Sequence, residues 1–323
     1  MKAMVRDAYG PPEVLELRDI DSPECADGEV LVRVRAAGVG RDVWHVMTGL
    51  PYPIRLAGYG FRAPKNPVIG SDVAGVVEAV GKDVSRFKPG DEVFGVGKGA
   101  YAEYVCALED KLAPRPENLT FEQAAVVAIT GSTALQALRD HGKVRQGQEV
   151  LIIGASGGVG TYAVQIAKAF GAVVTGVCST RKVEMVRSIG ADRVIDYTRE
   201  DFAEGDRRYD LIVDIGGNSS LARLRRALAP RGTLVITGGE GGGRWLGGTD
   251  RQIRAMLLSP FVGQKLGTFV ASENHEDLLV LKELIESGKI TPLIDKTYSL
   301  SEVPEAIRYL AEGHARGKVV ISV

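Results

Sequence analysis

A glycine-rich turn between two apolar segments has the spacing of a phosphate-binding site. Residues 149–177 read EVLIIGASGGVGTYAVQIAKAFGAVVTGV, and the turn is Ala155-x-Gly157-x-x-Gly160. Gly157 would let the backbone approach a pyrophosphate, and Gly160 would let the following helix pack closely on the strand. The helix would point its unpaired N–H groups and positive dipole end at the phosphates. The predicted dinucleotide site comprises Ala155, Ser156, Gly157, Gly158, Val159 and Gly160.

The elements around this turn support the same interpretation. Residues 150–153 form an apolar run with β-branched side chains, which is typical of a strand buried on both faces of a parallel sheet. After the turn, apolar residues recur at helical spacing until Gly171, and a second apolar strand follows at 173–177. A glycine turn without a ligand is the alternative, but the agreement of strand, helix and second strand favours a dinucleotide site.

Length and charge limit the classes of partner. A chain of 323 residues favours two domains. A net charge of −1 predicts neither a nucleic-acid partner nor an anionic membrane partner, so we expect small-molecule partners. No apolar run reaches membrane-spanning length, and the first residues lack the apolar core of a signal peptide. We therefore expect a soluble, cytoplasmic protein.

The three cysteines, Cys25, Cys106 and Cys178, are far apart in sequence and odd in number. This pattern favours neither a disulfide framework nor a cysteine zinc cluster. Free thiols, buried or at the surface, are the expectation.

The hydrophobic pattern changes near residue 120. Before it, short strand candidates such as 30–36, 73–80 and 92–96 are separated by glycine, proline and acidic turns, which indicates an irregular β domain. From residue 122 helices alternate with apolar strands, which predicts a doubly wound parallel sheet of the α/β class. A final strand at 318–323 is predicted to return to the N-terminal domain.

Several separated motifs resemble those of the medium-chain dehydrogenase/reductase superfamily, and within it the zinc-free quinone oxidoreductase-like branch. They are GSDVAGVV at 70–77, FKPGDEV at 87–93, the alanine pair at 124–125, STA at 132–134 and the glycine turn. The resemblance implies a partly open, GroES-like β-barrel catalytic domain of residues 1–121 and 273–323. It also implies a Rossmann domain of residues 122–272, a cleft between the two domains, and a homodimer formed through an edge strand at 267–270.

The resemblance also bears on zinc and on the reaction. The family motif places catalytic zinc ligands where this chain has Gly40, Ser71 and Ile129, none of which offers a thiolate or an imidazole. We therefore expect no metal and an NAD(P)H-dependent enzyme that transfers hydride to a quinone or an α,β-unsaturated carbonyl, since such an acceptor spreads charge onto an oxygen. A zinc-free alcohol or aldehyde oxidoreductase and a non-enzymatic NADPH-binding sensor are the alternatives.

The residues after the second strand predict the cofactor. NAD-specific sites place a carboxylate there, whereas this chain has Ser179, Thr180, Arg181 and Lys182. Hydroxyls and two cations would bind a 2′-phosphate and no carboxylate would repel it, so NADPH is predicted over NADH. Alternatively, the two cations only solvate the start of the next helix. Tyr197 matches a position where the resembling reductases often place a tyrosine beside the adenosine phosphate.

Four further positions belong to the predicted cofactor site. Arg41 and Lys318 match arginines that approach the pyrophosphate in zinc-containing relatives, although both could be ordinary surface charges. Thr133 matches a threonine near the nicotinamide; the alternative is a helical threonine that bonds to its own helix. Gly238, after the fifth strand, completes the set.

The substrate pocket is predicted from the N-terminal segment that borders the cleft in the family. It comprises Trp44, His45 and Tyr52, and Tyr52 is the candidate catalytic donor to a carbonyl or quinone oxygen. Core packing of Trp44 and a plain turn at 51–53 are the alternatives. The glycine-rich residues 240–248 are predicted to be a loop, either a lid with Trp245 as an apolar plug or a mobile surface loop.

Overall fold

The computed structural model describes residues 1–239, 243–313 and 315–323, apart from the side chain of Ala57. The chain divides into two compact units, Met1–Ser132 with Glu273–Val323, and Thr133–Ser272. The first boundary, after Ser132, lies later in the chain than the boundary that was predicted after residue 121. The reason is that residues 121–124 pack on strands of the first unit, and the Ile129 N–H donates to the Asp72 carboxylate there.

The strands in chain order are β1 Lys2–Val5, β2 Glu16–Asp19, β3 Glu29–Val39, β4 Asp72–Val80, β5 Glu92–Val96, β6 Tyr104–Leu108, β7 Leu112–Pro114, β8 Glu149–Ile153, β9 Val173–Cys178, β10 Arg193–Asp196, β11 Tyr209–Asp214, β12 Leu228–Ile236, β13 Lys265–Thr268, β14 Ile294–Ser299 and β15 Lys318–Ser322. The helices are α1 Arg41–Thr48, α2 Phe121–Ala124, α3 Ala128–Gln136, α4 Gly158–Ala169, α5 Val183–Ser188, α6 Leu221–Ala227, α7 Gly243–Leu246, α8 Thr249–Leu258, α9 His275–Glu286 and α10 Val303–Ala311. Short 3-10 or π turns occur at Pro12–Val14, Arg55–Tyr59, Glu109–Lys111, Ala137–His141, Thr180–Lys182, Ser259–Phe261 and Leu300–Glu302. None of the helices in the described part of the chain has the length and apolar character that a bilayer span requires.

The first unit is built on a seven-stranded sheet in the order β14-β15-β3-β4-β5-β7, with β6 also paired to β3. β1 and β2 form a separate two-stranded ribbon. β15 runs antiparallel to β3 with Val319 opposite Val39, so the last strand returns to the N-terminal domain, as predicted. Alternate residues of β3, including Val30, Val32 and Val34, face the core, because side chains of a strand alternate between its two faces.

The second unit contains six parallel strands in the order β10-β9-β8-β11-β12-β13. This arrangement confirms the predicted doubly wound sheet. β8 lies at the point where the strand order reverses, with β9 on one side and β11 on the other. Ligands of such sheets bind outside the carboxyl ends of the strands at this switch point, where the glycine turn begins.

The expectation of free thiols is wrong for two of the three cysteines. Cys25 and Cys106 form a disulfide, with their Cα atoms 5.5 Å apart. Antiparallel pairing places Cys106 opposite Leu31, and the turn before β3 brings Cys25 to the same place. The two cysteines are 81 residues apart in sequence, and only the tertiary structure shows that they are in contact. Cys178 is free and buried, in agreement with the expectation.

Part of the predicted glycine-rich loop is helical. Gly243–Leu246 form α7, and Trp245 on this helix is exposed. The loop prediction is wrong for these residues, because Gly243, with φ of 74°, allows the chain to turn into a short helix. Residues 240–242, which belong to the same prediction, lie outside the described residues.

Candidate functional site

The glycine turn after β8 is fixed by backbone contacts. Gly154 has φ of 88°, a conformation that favours glycine. A Cβ on Gly160 would lie 2.1 Å from the Gly154 carbonyl oxygen, so the helix can approach the strand this closely only with glycine there. The turn also bonds to the neighbouring strand, because the N–H groups of Gly154 and Ala155 both donate to the Val177 carbonyl at 3.1 Å.

Gly157 serves a different purpose from Gly160. It is the N-cap of α4, and a Cβ added to it would approach only the Gly154 carbonyl oxygen, at 3.6 Å. Glycine is therefore not required there by the packing of the protein. No side chain caps α4, so the first N–H groups of the helix and its positive dipole end face the space beside Gly157. This arrangement fits a pyrophosphate, which needs close backbone approach and N–H donors.

The predicted 2′-phosphate residues follow β9 directly. Ser179 precedes a short 3-10 turn formed by Thr180–Lys182, and Arg181 is exposed to solvent. Tyr197 is also exposed, and its N–H donates to the Cys178 carbonyl at 3.1 Å. Parallel pairing of β9 and β10 thus brings residues 179–182 and Tyr197 to one edge of the sheet.

The same pairing brings a carboxylate to this edge, which sequence inspection missed. Asp196 ends β10 opposite Cys178, and the Thr180 hydroxyl donates to it at 2.6 Å. Residues 178–182 themselves contain no carboxylate, as expected, but the neighbouring strand supplies one beside them. Asp196 also accepts bonds from the N–H and hydroxyl of Thr198, at 3.0 and 2.8 Å. These bonds lower the pKa of Asp196, and the bond from Thr180 has the largest effect. Asp196 is therefore ionised, and its oxygens are engaged by Thr180 and Thr198.

A buried ion pair braces the carboxyl ends of β11 and β12. The Arg251 guanidinium contacts the fully buried Asp214 carboxylate and donates to the carbonyl oxygens of Ser219, at 2.7 Å, and Gly238, at 3.0 Å. Burial raises the pKa of Asp214, and Arg251 opposes this shift. Gly238 also approaches Ile215 so closely that a Cβ would lie 2.0 Å from its carbonyl oxygen. The sequence carried no local signal for this pair, because its members are on separate elements.

In the first unit, the positions expected for zinc ligands surround another buried ion pair. Lys318 Nζ lies 3.3 Å from an Asp72 oxygen, and both side chains are 2% exposed. The Ile129 N–H donates to the second Asp72 oxygen at 2.8 Å, and a Cβ on Gly40 would lie 3.7 Å from Lys318 Nζ. The interpretation of Lys318 as a surface charge is wrong, since β15 carries it into the core. Arg41, by contrast, is an exposed residue at the start of α1.

Burial governs the protonation of this pair. It raises the pKa of Asp72 to about 6, although Lys318 opposes the shift. Tyr101, fully buried nearby, donates its hydroxyl to the Gly38 carbonyl at 3.0 Å, and burial raises its pKa well above the usual value. Neither group is a proton donor at the surface of the unit.

The predicted substrate residues lie on α1 and on the turn that follows it. His45 donates Nδ1–H to the Leu50 carbonyl at 2.8 Å, because a carbonyl can only accept. The Arg55 guanidinium lies 5.0 Å from the centre of the Tyr52 ring. Trp44 is half-buried and packs against the core, as the core-packing alternative expects, whereas Tyr52 is half-buried outside that cluster. Thr133 is half-buried on α3.

Known proteins share both halves of this arrangement. Residues 26–117 match the alcohol dehydrogenase GroES-like domain family, and residues 189–321 match the zinc-binding dehydrogenase family. The chain is 34% identical to the mitochondrial NAD(P)H oxidoreductase RTN4IP1 of Mus musculus over 100% of its length and 89% of that protein. This chain belongs to the medium-chain dehydrogenase/reductase superfamily.

Further relatives of this medium-chain dehydrogenase/reductase place it in the quinone oxidoreductase-like branch. The chloroplastic NADPH-dependent alkenal/one oxidoreductase of Arabidopsis thaliana is 34% identical over 99% of this chain and 79% of that protein. The solved structure of the quinone oxidoreductase from Coxiella burnetii superposes with a TM-score of 0.88 at 31% identity, covering 100% of this chain and 99% of that one. The family identified from the sequence motifs is therefore confirmed.

Proposed function

We propose that this protein is an NADPH-dependent reductase that transfers hydride to a quinone or an α,β-unsaturated carbonyl. The observation that carries the proposal is the contrast at the glycine turn: Gly160 is required by packing, whereas Gly157 leaves open space in front of an uncapped helix. A fold gains nothing from that open space, but a pyrophosphate needs it. Relatives named as an NAD(P)H oxidoreductase and an alkenal/one oxidoreductase support the same reaction class.

The end of β9 supports NADPH over NADH. Ser179, Arg181 and Lys182 offer a hydroxyl and two cations for a 2′-phosphate. The nearby ionised Asp196 carboxylate is paired with Arg199, whose Nε lies 3.5 Å from it, and this cation offsets part of its repulsion of a 2′-phosphate. Ala155 to Gly160 would hold the pyrophosphate, and Tyr197 would lie beside the adenosine.

The remaining cofactor residues lie outside the glycine turn and the end of β9. Gly238, braced by Arg251, and Thr133 would lie near the nicotinamide. Arg41 is accessible for a phosphate contact. Lys318 donates to Asp72, so we propose that it holds this part of the first unit in place and does not bind a phosphate directly.

The reaction is proposed to proceed without a catalytic zinc. Gly40, Ser71 and Ile129 offer no thiolate or imidazole, and the buried Lys318 ammonium beside Gly40 would repel a metal cation. NADPH, when bound, supplies the hydride. The protein's part is then to orient the acceptor and to donate a hydrogen bond to the oxygen that gains charge, for which the Tyr52 phenol is the candidate. Trp44 and His45 would border the same pocket.

Two further parts of the proposal concern assembly and location. We propose a homodimer formed through β13, which is the last strand of its sheet among the described residues. A cytoplasmic location stays a prediction, since the relatives named above are mitochondrial and chloroplastic.

The proposal is tested by following nicotinamide absorbance with NADPH or NADH and a panel of quinones, alkenals and enones. We expect faster oxidation of NADPH, and we expect Arg181→Ala to raise the KM for NADPH about tenfold, the effect of losing one charge-assisted hydrogen bond, with little change for NADH. Arg187→Ala is the matched control, because it removes the same charge from α5, where Arg187 pairs with Glu184 at 2.7 Å. Failure to oxidise NADPH above background, or equal effects of the two variants, would overturn the assignment.

A further inference from the structure

The disulfide partners Cys25 and Cys106 share their position with an acidic residue. The two sulfurs and a Glu29 carboxylate oxygen all lie within 4.8 Å of one another, and the three residues are half-buried. They are the only such group of potential metal ligands in the part of the chain that the structure describes. Two sulfurs and one carboxylate form a ligand set that suits zinc.

Strand pairing explains how this group, which we call the Cys25–Glu29–Cys106 cluster, is assembled. β3 and β6 pair antiparallel with Glu29 opposite Leu108 and Leu31 opposite Cys106. Residues two apart in a strand point to the same face, so Glu29 and Cys106 are diagonal neighbours on one face of the sheet. Two of the three members, Glu29 and Cys106, are therefore held by hydrogen-bonded strands.

The turn before β3 completes the cluster. The Glu29 N–H donates to the Ala26 carbonyl, and the Ala26 N–H donates to the Glu29 carboxylate, both at 3.0 Å. These two bonds close the turn and bring Cys25 back over the end of β3. They also fix one Glu29 oxygen, so that the carboxylate is oriented before any ligand binds.

We infer that the cluster is a redox-controlled zinc site: the reduced cysteines, as thiolates, and Glu29 bind one Zn²⁺, and formation of the disulfide releases it. Three protein ligands leave one position for water in a tetrahedral site. In the release step a hydroperoxide is the oxidant. The two thiolate sulfurs form one S–S bond and give up two electrons; hydrogen peroxide takes these electrons and two protons to become two molecules of water, and zinc leaves as Zn²⁺. This inference is independent of the proposed function.

Metal uptake by the whole protein tests the first half of the inference. The protein is reduced with a phosphine, freed of reductant and titrated with Co²⁺ and then Zn²⁺. We expect one Co²⁺ per chain with an ultraviolet thiolate-to-cobalt band, displaced by Zn²⁺. Cys25→Ser and Cys106→Ser should abolish the band. Glu29→Gln should weaken binding about 10- to 100-fold or more, because loss of a group that only orients a metal ligand already has that effect.

Matched variants separate the site from adventitious binding. Glu24→Gln removes an exposed carboxylate next to Cys25 but outside the cluster, and Cys178→Ala removes the buried free thiol; both should bind the metal as the wild type does. Circular dichroism checks that each variant is folded. Binding that survives Cys106→Ser, or is absent from folded, phosphine-treated wild type, would show that the pair is a structural disulfide only.

Release of zinc on oxidation tests the second half of the inference. One equivalent of hydrogen peroxide is added to the zinc-loaded protein in the presence of a chromophoric chelator. We expect one Zn²⁺ released per disulfide formed, with the same yield in Cys178→Ala. Disulfide formation with the zinc retained, or release without loss of the two thiols, would overturn the switch.

Discussion

At the scale of single residues, the pair of Asp72 and Lys318 shows how burial sets charge. Both side chains are almost fully buried, yet Asp72 keeps bonds to Lys318 and to the Ile129 N–H. Desolvation raises the pKa of Asp72 to about 6, above the value near 4 expected in an unfolded chain. The folded state therefore binds this proton more tightly, and the contribution of Asp72 to stability falls as pH rises from about 4 to about 6.

Lys318→Met should make the protein much less stable at pH 8 than at pH 5. Without the ammonium, the ionised Asp72 is a buried unpaired charge, which costs about 3–5 kcal/mol in the free energy of unfolding. At pH 5 the carboxyl is largely protonated in the folded state, so the loss is smaller. Urea denaturation at both pH values measures the difference.

The double variant Asp72→Asn/Lys318→Met is the control for that measurement. It carries neither buried charge, so it should recover most of the stability at pH 8 and should lose the pH dependence of the single variant. An equal loss in Lys318→Met at both pH values would show that the charge of Asp72 does not matter.

At the scale of elements, the turn between β8 and α4 uses its glycines for two separate purposes. Gly160 permits contact of the helix with the turn, and Gly157 leaves room outside it. Substitution of each by alanine should therefore separate folding from binding.

Gly160→Ala should lower the free energy of unfolding by about 1–3 kcal/mol, because the added methyl group overlaps the Gly154 carbonyl oxygen. Gly157→Ala should change stability by less than about 1 kcal/mol, the range of N-cap substitutions, but should still weaken NADPH binding. Thermal unfolding and fluorescence titration measure the two effects. Unchanged NADPH affinity in a stable Gly157→Ala variant would place the pyrophosphate elsewhere.

At the scale of the whole molecule, the second unit exposes apolar residues close to an unpaired strand edge. β13 pairs only with β12 among the described strands, and α8 packs on it. Val270 and Phe261, on either side of β13, are 94% and 84% exposed. Large exposed apolar groups next to a free edge are typical of an interface.

Val270→Asp and Phe261→Asp should each shift the protein from dimer to monomer in light scattering, with a dimer dissociation constant raised about tenfold or more. Leu17→Asp places the same charge on an exposed apolar position of β2, in the first unit, and should leave the oligomeric state measured by light scattering unchanged. A wild-type protein that is monomeric at all concentrations, or equal effects of the three variants, would contradict the proposed dimer.

Local patterns were sufficient to predict the fold class, the positions of several strands along the chain and the glycine turn. Apolar runs, helical spacing and glycine spacing report on neighbouring residues, and the structure has strands close to the predicted positions, such as β5 and β8. The motif pattern likewise identified the family. The prediction of a loop at residues 243–246 was wrong, because a short helix without an apolar stripe leaves no periodic signal in the sequence.

The tertiary structure alone decided which charges and sulfurs meet. Asp196 reaches Thr180 only because parallel strands end at one edge, and Lys318 reaches Asp72 across 246 residues of sequence. Cys25 and Cys106 meet in the same way, across 81 residues. Such contacts depend on strand order and register, which a single sequence does not encode in any local spacing. The sequence by itself thus determined the dinucleotide-binding framework, whereas the pairing of its buried groups required the folded sheets.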